Sequence, residues 1–212
     1  MNIVVLGFPG VGKGTIASIL SKKYKIPHIS TGDIFRDSIE EGTELGKKVK
    51  EFLDSGELVP DDITIQVVEK RLNKDDVKKG FILDGFPRTL SQAKMLEKIK
   101  KIDKVLNFVA DEKTIMDRLS GRRICEKCNE VYHIKNMQPK VEGICDKCGS
   151  KLTQRSDEKP EVIKKRVKEY NKKTKPLIQY YRGRSLLADI WANFPIEDVY
   201  KTIFQVEMAL KK

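Results

Sequence analysis

The sequence predicts an α/β protein, with a parallel sheet covered by helices on both faces. Short apolar runs, of which residues 2–6 and 80–84 are the clearest, alternate along the chain with longer amphipathic stretches. That alternation is typical of strand–helix–strand units. The chain has 212 residues, which is enough for one core of this kind with insertions or for two small domains.

The same patterns place the elements in order. The β-branched run at 2–6 predicts a first strand, and the amphipathic stretch after a glycine-rich turn predicts the first helix. The run at 80–84 predicts a second buried strand, which ends in a carboxylate. Apolar residues at helical spacing with lysines opposite predict a long helix over 160–180. The predicted strands are 2–6, 27–29, 80–84, 104–109 and 185–190, and the predicted helices are 14–24, 31–38, 43–54, 61–73, 91–100, 112–121, 160–180 and 196–210.

The turn after the first strand carries the strongest functional signal. Residues 7–15 are GFPGVGKGT. Glycines let consecutive backbone N–H groups point inward, the helix N-terminus adds a positive dipole end, and Lys13 adds a mobile full charge. This combination indicates a P-loop that binds a nucleoside triphosphate. The residues expected at its phosphates are Gly10, Val11, Gly12, Lys13, Gly14 and Thr15.

One position of this loop departs from the usual pattern. Gly14 stands where a serine or threonine hydroxyl normally ligates Mg²⁺, and the hydroxyl comes one residue later, at Thr15. Another carboxylate, water and the phosphates must then hold most of the metal. This departure is typical of small nucleotide kinases.

The chain is strongly basic, with a formal net charge of +11. Residues 159–184 carry ten lysines and arginines against two glutamates, and a solvated lysine face of the predicted helix is the simplest explanation. No stretch approaches the length of a membrane span, and no secretory signal is recognisable before the glycine-rich turn. We therefore expect a cytoplasmic protein with no nucleic-acid or membrane partner.

The cysteines form two Cys-x-x-Cys pairs separated by sixteen residues: Cys125, Cys128, Cys145 and Cys148. Two such pairs at this separation predict a closed four-thiolate site for a structural zinc ion. Two disulfides are the alternative, which a cytoplasmic location disfavours. Iron and cobalt are the alternative metals.

The phosphate loop and several further segments form one pattern with the cysteine pairs. These segments are 7–15 (GFPGVGKGT), 29–35 (ISTGDIF), 56–60 (GELVP), 81–89 (FILDGFPRT), 117–124 (DRLSGRRI), 131–133 (VYH) and 154–157 (QRSD), together with Gln92 and Arg166. In this order, with the cysteine-rich insert between them, these segments resemble the adenylate kinases, in the long form whose lid carries zinc, over essentially the whole chain.

The resemblance implies a three-layer P-loop core over 1–29, 60–120 and 159–212. A helical flap for a nucleoside monophosphate would span 30–59, and a zinc-ribbon lid would span 121–158. The implied reaction is ATP + AMP ⇌ 2 ADP, dependent on Mg²⁺ and carried out by a monomer. Its acceptor is a phosphate oxygen already ionised at neutral pH, so the chemistry needs cations more than a general base.

The resemblance also implies roles for individual residues. The expected catalytic residues are Lys13, Asp84, Arg88, Arg122, Arg155 and Arg166, with Asp84 holding the hydration shell of Mg²⁺ and Asp33 a weaker candidate for that role. Besides the phosphate loop, ATP is expected to meet Arg118, Arg122, Val131, Tyr132 and Phe194. AMP is expected to meet Thr31, Arg36, Glu57, Leu58, Val59, Gly85, Arg88, Gln92, Arg155 and Arg166, with the amide of Gln92 pairing with the adenine edge.

Two features depart from the family pattern. Phe8 stands where the family usually has a small residue, and it either packs on a neighbouring loop or narrows the mouth of the site. Residues 182–194 are unlike the usual turn before the adenine-contacting position, where Phe194 falls.

Other functions are compatible with parts of the sequence. A kinase for another nucleoside monophosphate, or one that uses GTP as donor, would share the fold, although Thr31, Gln92 and the long zinc lid favour AMP. A nucleic-acid-binding zinc-ribbon ATPase would fit the charge and the cysteines, but the ribbon lacks an aromatic–basic face. A non-catalytic regulator is disfavoured because no motif residue is missing.

Overall fold

The computed structural model describes residues 1–195 and 198–211 and alternates strands with helices as the sequence predicts. Its strands are β1 (Asn2–Gly7), β2 (His28–Ser30), β3 (Phe81–Asp84), β4 (Lys104–Val109), β5 (Arg122–Cys125), β6 (Val131–His133), β7 (Leu152–Thr153) and β8 (Leu187–Trp191). Its α-helices are α1 (Lys13–Tyr24), α2 (Thr31–Glu40), α3 (Glu44–Ser55), α4 (Asp61–Leu72), α5 (Leu90–Ile99), α6 (Glu112–Ser120), α7 (Pro160–Glu169), α8 (Pro176–Arg182) and α9 (Val199–Leu210).

The main sheet has the strand order β2-β3-β1-β4-β8, and every neighbouring pair is parallel. In this register Val5 of β1 lies opposite Asp84 of β3, and Gly7 lies opposite Phe108 of β4. The carboxyl ends of these strands therefore meet at one edge of the sheet, which is where parallel α/β sheets bind ligands.

Helices cover both faces of this sheet. Val4 and Leu6 of β1 are buried with side chains of α4, α5 and α8. Ile3 and Val5, on the opposite face, are buried with side chains of α1 and α9. Successive residues of a strand point to opposite faces, so this apolar strand is buried on both. The predicted three-layer α/β class is confirmed.

Residues 30–59, which we call the flap, contain helices α2 and α3 and form a small unit between β2 and α4. Phe35, Val49 and Val59 make its own buried cluster. Each helix begins at a hydroxyl cap, because the Ser30 side chain accepts from the Asp33 N–H and the Thr43 side chain accepts from the Gly46 N–H. Such caps satisfy backbone donors that the first helical turn leaves unpaired.

Strands β5, β6 and β7, with the loops that join them, form an antiparallel unit that we call the ribbon. Its strand order is β6-β5-β7, and it is inserted between α6 and α7, as the sequence predicts. Its small core contains Tyr132, Leu152, Cys125 and Cys145. So small a core leaves the ribbon dependent on a further cross-link.

The prediction of one continuous helix over 160–180 was wrong. Helix α7 ends at Glu169, a π-helical turn spans Tyr170–Thr174, and α8 starts at Pro176. Pro176 has no N–H to donate to the preceding turn, and the Lys175 N–H donates to the Tyr170 carbonyl, five residues back, at 2.8 Å. The proline thus breaks the regular ladder of hydrogen bonds.

Smaller differences concern element ends. The strand predicted at 185–190 lies at Leu187–Trp191, because Ser185 adopts a left-handed φ of 57° in the turn that follows α8. The predicted first residues of the last helix, 196 and 197, lie outside the described residues, and α9 is described from Val199. Within the described ranges, no helix combines the length and apolar character needed to cross a membrane.

Gly46 allows α3 to approach the end of α2 closely. A Cβ at this position would lie 2.0 Å from Ser38 O and 2.7 Å from Ile39 Cα, so the backbone would have to move. We expect Gly46→Ala to lower the free energy of unfolding by about 1–3 kcal/mol, as overpacking does. Urea unfolding followed by circular dichroism measures this change.

Gly183→Ala is the matched control for this substitution. The Cβ that it adds would meet its nearest atom, Gln179 O, at 3.5 Å, so we expect a change within about 0.5 kcal/mol. Equal unfolding midpoints for the two variants would contradict the crowding argument.

Candidate active site

A cleft of about 700 Å³ opens at the carboxyl edge of the main sheet, between the flap and the ribbon. Its lining contains Lys13, Asp84 and six arginines: Arg36, Arg88, Arg118, Arg122, Arg155 and Arg166. Arg123 instead turns to the backbone, where its Nη1 donates to Arg122 O at 2.8 Å. The structure thus brings into one cavity basic residues that the sequence distributes over more than 150 positions.

The loop between β1 and α1 forms the floor of the cleft. Gly10 and Gly12 have left-handed φ values of 83° and 98°, which favour glycine. A Cβ on Gly10 would also lie 2.5 Å from Leu119 Cγ. Gly12 caps α1 without a side chain, so the positive end of the helix dipole faces the cavity. This floor suits an anion.

Lys13 turns back over the loop that precedes it. Its Nζ donates to the carbonyls of Gly7 and Phe8, each at 2.8 Å. Burial, with smaller contributions from the neighbouring Arg88 and Arg166, lowers the pKa of Lys13 to about 8 against the opposing effect of Asp84. A phosphate placed here would raise this pKa again, because an anion favours the ammonium form.

Asp84 lies at the end of β3, beside the phosphate loop. Burial alone would raise the pKa of Asp84, but the neighbouring His28 and Lys13 outweigh that effect and lower it. His28 Nε2 lies 3.4 Å from Asp84 Oδ2. A Cβ added at Gly14 would lie 3.5 Å from the same oxygen, so α1 approaches the carboxylate closely. The Asp84 carboxylate is therefore ionised, and its oxygen atoms can act as ligands beside the phosphate loop.

The arginines on the flap side of the cleft are held by oxygen atoms of the chain. Arg88 Nε donates to Gly85 O at 2.8 Å, and Arg36 pairs with Asp33. Arg155 Nη2 lies 3.8 Å from the same Asp33 oxygen. Burial lowers the pKa of Arg88 to about 10, as does repulsion from Arg166.

The arginines on the ribbon side have their own partners. Arg122 pairs with Glu158, whose carboxylate is fully buried. Arg166 Nη1 donates to Asp157 Oδ2 at 2.9 Å. Burial, together with repulsion from Arg155 and Arg166, lowers the pKa of Arg122 to about 9. All these guanidinium groups remain protonated at neutral pH.

Gln92 is buried at the flap side of the cleft and already has two partners. Its Oε1 accepts from the Arg88 N–H at 2.7 Å, and its Nε2 donates to Asp61 Oδ1 at 2.7 Å. Asp61 also accepts from Thr89 Oγ1 at 2.8 Å. One N–H and one lone pair of the Gln92 amide remain for a ligand.

The other residues expected at AMP, the phosphoryl acceptor, also line the cleft: Thr31, Glu57, Leu58, Val59 and Gly85. A Cβ on Gly85 would lie 2.7 Å from Thr31 Oγ1, so this glycine lets the chain pass close to the buried threonine. The structure thus brings these five residues into the same cavity as the arginines expected at AMP.

On the opposite side, the cleft is lined by the residues expected at ATP, the phosphoryl donor: Val131, Tyr132 and Phe194. Arg118 joins two walls, since Nη1 donates to Val11 O at 2.9 Å and Nη2 donates to Phe194 O at 2.7 Å. The Tyr132 hydroxyl is turned toward the cysteines and accepts from the Asp146 N–H at 2.8 Å. The Tyr132 hydroxyl is therefore engaged within the ribbon.

The four cysteines come together at one end of the ribbon, with all four sulfur atoms within 4.8 Å of one another. The Cys125–Cys148 and Cys128–Cys145 sulfur pairs are 3.3 and 3.5 Å apart, too far for a disulfide of about 2.05 Å. A tetrahedral metal with bonds of about 2.3 Å to sulfur separates its ligands by about 3.8 Å. The cluster fits one metal ion.

Three residues that hold side chains of the cleft were not expected from the sequence, and of these Asp157 itself lines the cavity. Asp61 fixes the Gln92 amide, and Asp157 and Glu158 hold two of the arginines. Asp61 follows the GELVP segment and Asp157 ends the QRSD segment, so their positions gave a signal. Glu158, by contrast, has no local signal for its burial.

Two anionic ligands can be accommodated in this cleft, one on the phosphate loop and one against the flap arginines. A P-loop at the edge of a parallel sheet, combined with cations between two such positions, defines the class of P-loop nucleotide kinases.

Comparison with known proteins narrows this class. The family model for adenylate kinase matches residues 5–186. Proteins named adenylate kinase from Treponema denticola, Caldicellulosiruptor saccharolyticus and Staphylococcus epidermidis are 55%, 50% and 47% identical to this chain. The alignments cover 94%, 97% and 97% of this chain and 95%, 98% and 98% of those proteins. The chain belongs to the adenylate kinase family and is a nucleoside monophosphate kinase.

We expect the affinity for a triphosphate to fall as the pH rises above about 8. Lys13 has a pKa of about 8 in the free protein, whereas a bound polyphosphate favours its charged form, so binding above that pH takes up a proton. Affinity should be constant below the pKa and fall by up to tenfold per pH unit above it. Calorimetric titration with a non-hydrolysable ATP analogue at pH 7 to 9.5 measures this.

Lys13→Arg is the control for this pH dependence between pH 7 and 8.5, below the pKa of about 9 of Arg122, because a guanidinium is far more basic than an ammonium group. The decline in affinity should disappear in this variant. An identical decline in both proteins would show that Lys13 is not the group that titrates.

Proposed function

We propose that this chain catalyses reversible transfer of the γ-phosphoryl group of ATP to AMP, which yields two molecules of ADP. The observation that carries the proposal is the convergence of Lys13 and six arginines on one cleft. ATP would place its phosphates on the loop between β1 and α1, under the ribbon. AMP would place its phosphate against the flap arginines.

The electrostatics of the cleft favour this chemistry. Burial, and in addition the neighbouring Arg36, lowers the pKa of Arg155 to about 10, as neighbouring arginines also do for Arg88 and Arg122. Mutual repulsion of this kind is relieved when anions bind. Cations fixed in advance around the moving phosphoryl group stabilise the charge of the transition state without reorganisation.

No general base is needed, because the attacking AMP oxygen is already ionised at neutral pH. Lys13 would hold the β- and γ-phosphates, while Arg88, Arg155 and Arg166 would contact the transferred group from the acceptor side. Mg²⁺ bound with ATP would neutralise phosphate charge, and Asp84 would accept hydrogen bonds from its water ligands. Asp33 is less suited to that role, because it already pairs with Arg36.

We propose a core of residues 1–29, 60–120 and 159–212 with two mobile parts, an AMP-binding flap over 30–59 and a lid over 121–158. Two contacts support closure of these parts over the cleft. Asp33 of the flap lies 3.8 Å from Arg155 of the lid, and Glu57 of the flap lies 2.7 Å from Lys165 of α7. Closure would exclude water, which otherwise would accept the phosphoryl group.

Recognition of the adenine base would use Gln92. The free N–H of its amide can donate to adenine N1, and its second lone pair can accept from the exocyclic amine. Asp61 holds the amide in one orientation. Uracil presents a carbonyl where adenine presents an amine, so the fixed amide disfavours UMP.

We further propose that the four-cysteine cluster holds a structural zinc ion. Four thiolates close the coordination shell, so the metal would cross-link the ribbon and take no part in phosphoryl transfer. Its supporting observation is the mutual distance of the sulfur atoms. The monomeric state and the cytoplasmic location stay predictions from the sequence.

The test of function is formation of diphosphates from Mg·ATP with AMP, UMP, CMP and GMP in parallel. We expect AMP to be preferred by at least about a hundredfold in kcat/KM, since a site built around hydrogen bonds rejects a mismatched base strongly. Preference for another acceptor would overturn the assignment of Gln92. Hydrolysis of ATP without transfer to any monophosphate would favour an ATPase.

Two neighbouring arginines allow a matched comparison in the same assay. Arg122→Ala should lower kcat by about a hundredfold or more, which is the usual effect of removing one transition-state donor. Arg123→Ala should stay within about threefold of the wild type, because Arg123 donates to backbone carbonyls. Equal losses in the two variants would contradict the placement of Arg122 at the phosphates.

Metal analysis tests the cysteine site. We expect one zinc ion per chain, and cobalt substituted for it should give the visible spectrum of a tetrahedral thiolate complex. Cys145→Ser should lower the metal content and the thermal midpoint, since the ribbon has little other core. A metal-free wild type with an unchanged midpoint would contradict the proposed site.

A further inference from the structure

Phe8 belongs to the phosphate loop, yet its side chain packs away from the cleft. Its ring stacks on Tyr170, with centroids 4.0 Å apart and planes inclined by 35°. It also packs against the buried cluster of Ile115, Leu119 and Ile163. The large residue at this position therefore packs on a neighbouring element and does not narrow the mouth of the cleft.

The backbone of Phe8 has a separate contact. Its carbonyl accepts from Lys13 Nζ at 2.8 Å and from the Val11 N–H at 3.3 Å. The ring and the carbonyl belong to one residue, so the stack on Tyr170 restrains the oxygen that holds the lysine. Pro9 restrains the backbone on one side of Phe8, but Gly7 on the other side leaves wide conformational freedom, which the stack limits.

Tyr170 is the first residue of the π-helical turn, and it is buried. Thr174, the last residue of that turn, is also buried, and its Oγ1 donates to the Arg88 carbonyl at 3.0 Å. Helix α7, which carries Arg166, leads directly into the turn. This single turn thus contacts Phe8, whose carbonyl holds Lys13, and the backbone of Arg88. It also continues from the helix that carries Arg166.

We propose that the π-helical turn Tyr170–Thr174 is a brace that fixes Lys13, Arg88 and Arg166 relative to one another. Its two attachments are the Phe8–Tyr170 stack and the hydrogen bond from Thr174 to Arg88. Phe8, Tyr170 and Thr174 are then positioning residues. The inference rests on the phosphoryl transfer proposed above, in which the three cations surround one moving group.

The physical need for a brace follows from the charges. The three cations repel one another, and each is carried by a different element. Catalytic groups must be held to within about 0.5 Å of the productive geometry. Aromatic pairs and short π-helical turns supply defined local geometry, and such turns are frequent at functional sites.

The experiment compares the single-turnover rate of phosphoryl transfer, measured by rapid quench so that product release does not contribute. Phe8→Leu and Tyr170→Leu should each lower this rate by at least tenfold, while the dissociation constant of the acceptor changes by less than threefold. The double variant should be no slower than the slower single variant. Tyr170→Phe keeps the ring and should stay within twofold of the wild type.

Met116→Ala is the matched control, because Met116 packs against the same cluster as Phe8. It should lower the unfolding midpoint but leave the transfer rate within twofold. The brace is overturned by unchanged rates in both leucine variants, by independent, multiplying losses in the double variant, or by an equal loss of rate in Met116→Ala.

Thr174→Val tests the second attachment and keeps the proposal open to refutation if the leucine variants do not fold. It preserves side-chain shape and removes the donor to Arg88, so the rate should fall at least fivefold, and an unchanged rate overturns the brace. The acceptor for all variants is the one that the wild type phosphorylates most efficiently. If the proposed function is wrong, the wild type itself transfers the phosphoryl group to no monophosphate. That outcome is distinct from a failure of the brace, which concerns only the variants.

Discussion

Parallel pairing of β1 with β3 and β4 determines where the phosphate loop and Asp84 lie relative to each other. In this register Val5 stands opposite Asp84, and the loop that follows Gly7 emerges at the same edge. Lys13 can then reach back to the loop carbonyls while its charge acts on Asp84. A slip of one residue would turn the Asp84 side chain to the other face of the sheet.

The second constraint is the cost of gathering like charges. The chain offsets this cost with its own anions: Asp33 pairs with Arg36, Asp157 with Arg166 and Glu158 with Arg122. Bound phosphates would compete with these carboxylates for the arginines, so affinity reflects a difference between two sets of ion pairs. The π-helical turn Tyr170–Thr174, which interrupts the α-helix before Pro176, lies where the phosphate loop, Arg88 and α7 meet.

Much of the fold could be predicted because its signals are local. The apolar runs of β1 and β3, the glycines of the phosphate loop and the alternation with helices lie within short windows of sequence. The prediction of one continuous helix over 160–180 was wrong, because it followed the spacing of lysines and apolar residues and gave too little weight to Pro176. The residues expected at the site line one cleft, and their roles form part of the proposed function.

By itself the sequence determined the chemistry of segments: a glycine-rich loop that can bind phosphate, two cysteine pairs that can bind a metal, and a set of arginines. The tertiary structure alone decided the partners: Asp61 for Gln92, Glu158 for Arg122, and Tyr170 for Phe8. Each of these pairs joins residues far apart in the chain. Their contact depends on how several elements pack together, and no local pattern of residue types encodes that packing.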